Sequence, residues 1–220
     1  KITLVLKTIL VIAASYLLGS IPFGLVIGKV GYGIDVRQFG SGNVGFTNCY
    51  RTLGPLPGLF VLLGDAGKGS ASILLARWLG GGDMVSVLAG LAVIAGHNWS
   101  PYLKFKGGKG VATSVGVVIF LVPKISIILL AVWLAVLIVT KFVSLGSIIV
   151  ALVFPFLMIY FHPGRVNYII FSFVTAALVI IQHRSNIKRL LAGNELKITQ
   201  QRQKVVGSET SEQRGEKFEI

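Results

Sequence analysis

The sequence predicts an all-α fold, a polytopic membrane helical bundle of about seven transmembrane helices with the N-terminus outside and the C-terminus cytoplasmic. Three observations carry that expectation. Of the 220 residues, 54 % are apolar and only 13 % charged; with a mean hydropathy of +0.80, this exceeds what the surface of a soluble domain of this length tolerates. Apolar runs of about 18 or more residues, enough to cross a hydrocarbon core of roughly 30 Å at 1.5 Å per residue, recur along most of the chain. Lysine and arginine concentrate in alternate connections, as cytoplasmic loops require.

Taken in order, hydropathy places spans near 4–27, 56–79, 84–103, 110–122, 124–140, 144–161 and 167–183. The first run, "LVLKTILVIAASYLLGSIPFGLVIGKV", is too long for a secretory signal and lacks a small-residue cleavage site. The run from Gly110 to Thr140 is too long for one upright helix, and Pro123 with Lys124 supplies the break. With seven spans, the inner connections hold Lys29, Arg37, Arg51, Lys104, Lys106, Lys109 and Lys141, and the basic tail follows the last span. The outer side holds Lys1, Asp83, Lys124 and Arg165. Residues 1–197 form one membrane domain on this reading, and the polar, mixed-charge stretch 198–220 is a solvated tail.

Charge and cysteine usage exclude several classes. Part of the net charge of +13 is matched by anionic lipid headgroups, and the rest sits in specific polar loops, so no nucleic-acid partner is expected. The single cysteine, Cys49, rules out a disulfide framework and a multi-thiolate metal centre. Neither a cofactor nor a metal is expected.

Three polar stretches exceed what helix packing in a membrane needs. The first, "GSGNVGFTNCYR" (40–51), reads as a loop. Its glycines, among them Gly40 and Gly42, bare the backbone amides. Ser41, Asn43, Thr47 and Asn48 offer neutral donors, and Arg51 offers a planar fork for phosphate or carboxylate. The second, "GDAGKGS" (64–70), sets Asp65 and Lys68 three residues apart, on one helical face where they neutralise each other. Its glycines, Gly64 and Gly69 among them, suit either close helix packing or ligand approach. Its spacing is not that of a Walker loop. The third, "GHNWSPYLKFKGGKGVATS" (96–114), brings Lys104, Lys106 and Lys109 together around Gly107 and Gly108, just before a helix that starts at Gly110. Cations and helix dipole there make an anion site. His97 reads as a hydrogen-bonded packing residue.

Two further features fall on the same predicted inner face. Ser144 opens a span as a cap. "HRSNIKRLLAGNELK" (183–197) reads as an amphipathic helix, with Ile187, Leu190 and Leu191 toward the membrane and Arg184, Lys188 and Arg189 toward headgroups. His183 and Asn186 share one of its faces. Together these stretches make a cationic pocket with hardly any free carboxylate, suited to a phosphorylated substrate beside an acyl chain.

From Ser15 to Lys197 the chain closely resembles the bacterial acyl-phosphate:glycerol-3-phosphate acyltransferases, the PlsY family, whose motifs appear here in order as the quoted stretches. Val44 departs from the usual residue there, without touching a polar role. The resemblance implies acyl transfer from acyl phosphate to the sn-1 hydroxyl of glycerol 3-phosphate, giving lysophosphatidic acid and phosphate, at the cytoplasmic face of the bacterial plasma membrane. Acyl-CoA and acyl carrier protein are not the family's donors. By resemblance Ser41, Arg51, Lys109, Ser144, His183 and Asn186 carry binding and catalysis, supported by Asn43 and Asn48. Gly64, Lys68 and Gly69 correspond to a glycerol 3-phosphate binding loop, and Glu195 to a structural position. No covalent acyl-enzyme is implied, since the donor is already activated. An anion transporter would show paired repeats of broken helices, which the halves of this chain lack. The His-x4-Asp of the soluble-headed acyltransferases is also missing: Tyr102, Asn167 and Lys188 stand five after each histidine.

Overall fold

The computed structural model describes residues 2–200, and their regular structure is helical. Helix α1 (Ile2–Ser20) stops before Pro22, which has no N–H to continue the ladder, and the chain resumes as the short α2 (Phe23–Val26) and a π-turn (Ile27–Gly31). The expected first span is thus interrupted near its C-terminal end. There follow α3 (Phe46–Leu53), α4 (Pro55–Trp78), α5 (Asp83–Asn98), α6 (Val111–Leu121), α7 (Pro123–Thr140), α8 (Val143–Phe161), α9 (Val166–Gln182) and α10 (Arg184–Leu191).

Among the described residues, four stretches are by length and composition able to cross a membrane: Val5–Gly31, Pro55–Trp78, Pro123–Thr140 and Val143–Phe161. A fifth is reached if α9 and α10, bent by 60°, count as one. Helices α5 and α6, at 16 and 11 residues, fall short of the length, so this measure gives fewer spans than the seven expected. The break at Pro123 is where the sequence put it.

Two expectations are corrected. Residues 40–51 are not a loop throughout, because Phe46–Leu53 folds as α3. Its Thr, Asn and Cys are mediocre helix formers, and burial of Asn48 and Cys49 on its inner face outweighs that bias. The span near 84–103 ends early, at Asn98, because the chain turns back. Gly107 N–H donates to the Asn98 carbonyl (3.1 Å) and Gly108 N–H to the His97 carbonyl (2.9 Å).

Lipid tails are as apolar as leucine, so burial of apolar area gives little drive for helix association, and close packing must supply it. Small residues do this reciprocally. A Cβ at Gly19 would strike the Val93 carbonyl of α5, and one at Gly96 the Tyr16 carbonyl of α1. The same exchange locks α4 to α6, where Gly69 abuts the Thr113 carbonyl and Gly116 the Ala66 carbonyl. Between these pairs a core of Ile94, Val117, Ile125, Met158 and Phe171 fills one end of the bundle, with Phe154 and Phe171 edge to face at 6.1 Å.

Candidate active site

At the other end the helices part around a cavity of about 440 Å³, within the size range of small-molecule sites. Its mouth is polar, lined by Ser41, Asn43, Thr47, Arg51, Lys109, Ser144, His183, Asn186, Arg189 and Glu195. Its interior is apolar, lined by Leu62, Leu63, Val115, Val118, Leu129, Leu130, Trp133 and Phe154. Along α8 the wall runs from Ser144 to Phe154, a depth of about 15 Å at the helical rise. Residues 41 and 109 therefore share one cavity.

The first polar stretch is braced by Asn48. Its Oδ1 accepts from the Ser41 N–H (2.8 Å) and hydroxyl (3.3 Å), while its Nδ2 donates to the Val36 carbonyl (2.9 Å). Gly40, in the left-handed region (φ 59°), lies against that same Oδ1, where a Cβ would clash. Asn43 accepts from the Gly45 N–H (2.9 Å) just before α3. Arg51, on α3, donates to the carbonyls of Leu196 (2.9 Å) and Lys197 (3.0 Å), pinning the segment after α10 over the mouth.

Lys109 is the one lysine of the third stretch that lines the cavity; Lys104 and Lys106 are exposed. Gly107 and Gly108, expected at the substrate, do not line the cavity. They lie against the end of α5, where a side chain at 108 would run into the His97 ring. Burial lowers the Lys109 ammonium to about 8, as do Arg189 and Arg51, against the pull of Glu195. Gly110, with φ 77°, starts α6 beside it.

On the far edge Glu195 gathers three donors. Its Oε1 accepts from the Ser144 hydroxyl (2.8 Å) and Asn186 Nδ2 (2.6 Å), and its Oε2 from Arg189 Nε (2.7 Å). Burial alone would raise this carboxyl, but these hydrogen bonds outweigh it and hold Glu195 below the ordinary carboxylate range. His183 Nδ1 stands 2.7 Å from the Val179 carbonyl. Burial, with Lys109 nearby, depresses this imidazole to about 4, so it is neutral at physiological pH.

The second stretch is continuous helix inside α4 and not a loop. Gly64 packs on the Phe23 ring, and Lys68, its side chain 1 % exposed, is held by Asp65 Oδ1 (2.8 Å), His97 Nδ1 (2.8 Å) and the Ile21 carbonyl (3.0 Å). Of this stretch Asp65 reaches the cavity wall, whereas Gly64, Lys68 and Gly69 do not. Gly40 and Gly42 shape the first loop from outside the wall. Arg189, read from sequence as facing headgroups, instead turns to Glu195. Only the turn after α10 makes that pair possible, and no sequence spacing signals it. The apolar lining, from Trp133 to Phe154, was likewise hidden among ordinary span residues.

Fold and site define a class, the helical membrane proteins that enclose a cavity cationic at its mouth and apolar inside. The model of a family described as glycerol-3-phosphate acyltransferase matches residues 9–193. The chain is 51 % identical over 190 residues to "Glycerol-3-phosphate acyltransferase 2" of Moorella thermoacetica, covering 86 % of this chain and 97 % of that one. It is 43 % identical over 197 residues to the glycerol-3-phosphate acyltransferase of Desulforamulus reducens, covering 90 % and 98 %. Among solved structures it resembles PlsY (YgiH), an integral membrane glycerol 3-phosphate acyltransferase, in its glycerol 3-phosphate form, with TM-score 0.81 and 41 % identity over 86 % of this chain and 94 % of that one. The lysophosphatidic acid form of PlsY matches with TM-score 0.79. The chain belongs to the glycerol-3-phosphate acyltransferase family and is an integral membrane acyltransferase.

Proposed function

We propose that the protein transfers a fatty acyl group from an acyl phosphate to the sn-1 hydroxyl of glycerol 3-phosphate, releasing lysophosphatidic acid and inorganic phosphate. The observation that carries this reading is the junction of a cationic mouth with an apolar cavity about 15 Å deep, which fits two phosphorylated substrates of which one carries an acyl chain. The glycerol 3-phosphate and lysophosphatidic acid forms of the similar PlsY structures support the acceptor and the product.

The residues favour direct transfer. Cys49 is fully buried and its thiol is pushed up to about 12 by that burial, so it is no nucleophile. The Ser144 hydroxyl is committed to Glu195, which itself accepts from three donors and is a poor base. In the reaction the glycerol oxygen bonds to the acyl carbon, the bond from that carbon to the phosphate oxygen breaks, and the proton passes to the departing phosphate. Lys109, Arg51 and the loop amides hold the two like-charged groups together, so positioning supplies much of the rate. Acyl-CoA and acyl carrier protein, with no acyl phosphate to bring a base, are not donors on this reading.

We place the mouth on the cytoplasmic face of the bacterial plasma membrane, supported by Arg51, Lys109 and Lys141 clustering at that end. The test is purified protein with palmitoyl phosphate and glycerol 3-phosphate, without coenzyme A or added metal. Equimolar release of phosphate and lysophosphatidic acid is expected, and palmitoyl-CoA should give none. No phosphate above background would overturn the proposal.

A further inference from the structure

We propose that the Arg189 and Glu195 pair sets the hydrogen-bonding polarity of one edge of the mouth, presenting Ser144, Asn186 and His183 to substrate as acceptors, so that this edge reads hydroxyl groups and not phosphate. The inference deepens the proposed function and rests on its acceptor substrate.

The argument is an inventory of protons. An ionised carboxylate accepts and never donates. Ser144 has a single O–H, and it is directed to Glu195 Oε1 at 2.8 Å; only lone pairs remain on that oxygen. Asn186 places its NH2 on the same Oε1 at 2.6 Å, which fixes the orientation of the amide, because its carbonyl oxygen would be repelled there. Its Oδ1 is buried and has no hydrogen-bond partner among the described residues. His183 Nδ1 faces a backbone carbonyl at 2.7 Å and so must carry the ring proton, leaving Nε2 with a lone pair. Three cavity-lining side chains, each able to donate in isolation, are thereby left as acceptors.

A phosphate oxygen has no proton to give them. A hydroxyl has one. The anion belongs instead with Lys109 and Arg51, the neighbouring cations of the lining. The glycerol end of the acceptor, which carries two hydroxyls, meets the Ser144, Asn186 and His183 edge. The pair is also built in. The segment bearing Glu195 is fastened by Arg51 to the Leu196 and Lys197 carbonyls and by the Ile198 N–H to the Lys141 carbonyl at 2.9 Å. Glu195 and Arg189 are positioning residues, acting through the three side chains they orient.

The test compares glycerol 3-phosphate with 3-hydroxypropyl phosphate, which lacks the middle hydroxyl, and uses methyl phosphate, a monoester whose second ionisation near 6 is complete at pH 7.5, as a competitor that reads the cations alone. The wild-type enzyme is expected to favour glycerol 3-phosphate by more than about tenfold in kcat/KM. Glu195→Gln, which can donate as well as accept, should bring that ratio toward unity while methyl phosphate inhibition changes by less than about twofold. Equal loss on both substrates, with the ratio kept, would show a merely structural role and overturn the inference. So would a wild-type enzyme that uses both substrates alike, which needs no variant. Calorimetric binding of the two phosphates to wild-type protein reads the same discrimination without turnover, so failure of acyl transfer and failure of hydroxyl recognition remain distinct.

Discussion

Lys109 shows what burial does to a single charge at this site. Its ammonium is lowered to about 8 by desolvation, so the free enzyme loses the cation as pH rises through that value. The KM for glycerol 3-phosphate should be flat near pH 7 and climb about tenfold per unit above pH 8, since the second ionisation of a phosphate monoester, near 6, is already complete. Lys109→Arg, whose guanidinium stays charged, should abolish that climb; steady-state kinetics from pH 6.5 to 9.5 checks it, and an unchanged slope in the variant would assign it elsewhere. Folding follows the opposite sense. A lysine with a depressed folded pKa leaves the unfolded chain holding more protons between pH 8 and its ordinary value, so its contribution to stability rises with pH there.

Among the helices, the glycines of α4 and α6 divide by what they touch. Gly116 meets the backbone of Ala66 across the α4 and α6 contact, while Gly67 has nothing within 4 Å of its Cβ position. Gly116→Leu should cost at least about 1–3 kcal/mol by forcing the helices apart. Gly67→Ala should be neutral or stabilising by up to about 1 kcal/mol, because alanine restricts the unfolded chain. Thermal unfolding in detergent separates the two. The sequence made much of this element legible: the spacing of Asp65 and Lys68 foretold their ion pair, and Pro123 and Gly110 marked where α7 and α6 begin. It hid α3, whose residues favour no helix locally. It also hid the edge built on Glu195, where Ser144 lies 51 residues from its partner and Arg51 lies 145 from Leu196. Periodicity reports contacts a few residues apart, and these are set by how the bundle closes.

For the whole molecule, the expected topology puts Lys104 and Gly164 in different compartments. Cys49 is fully buried, so the unaltered chain offers an almost silent background for thiol labelling. In intact cells a membrane-impermeant maleimide should label Gly164→Cys and spare Lys104→Cys, which becomes reactive only after permeabilisation. Labelling of both from outside would contradict the proposed orientation. The match to PlsY over 86 % of the chain fits a single membrane body.

Helix α7 has a further consequence. Only 6 % of its span is buried inside the protein, yet Leu129, Leu130 and Trp133 form part of the cavity wall. One wall of the reaction chamber is thus backed by lipid tails. On the proposed reaction the acyl-bearing donor then arrives by two-dimensional diffusion, and the quantity that governs its encounter with the enzyme is its mole fraction in the leaflet, not its molarity in the surrounding water.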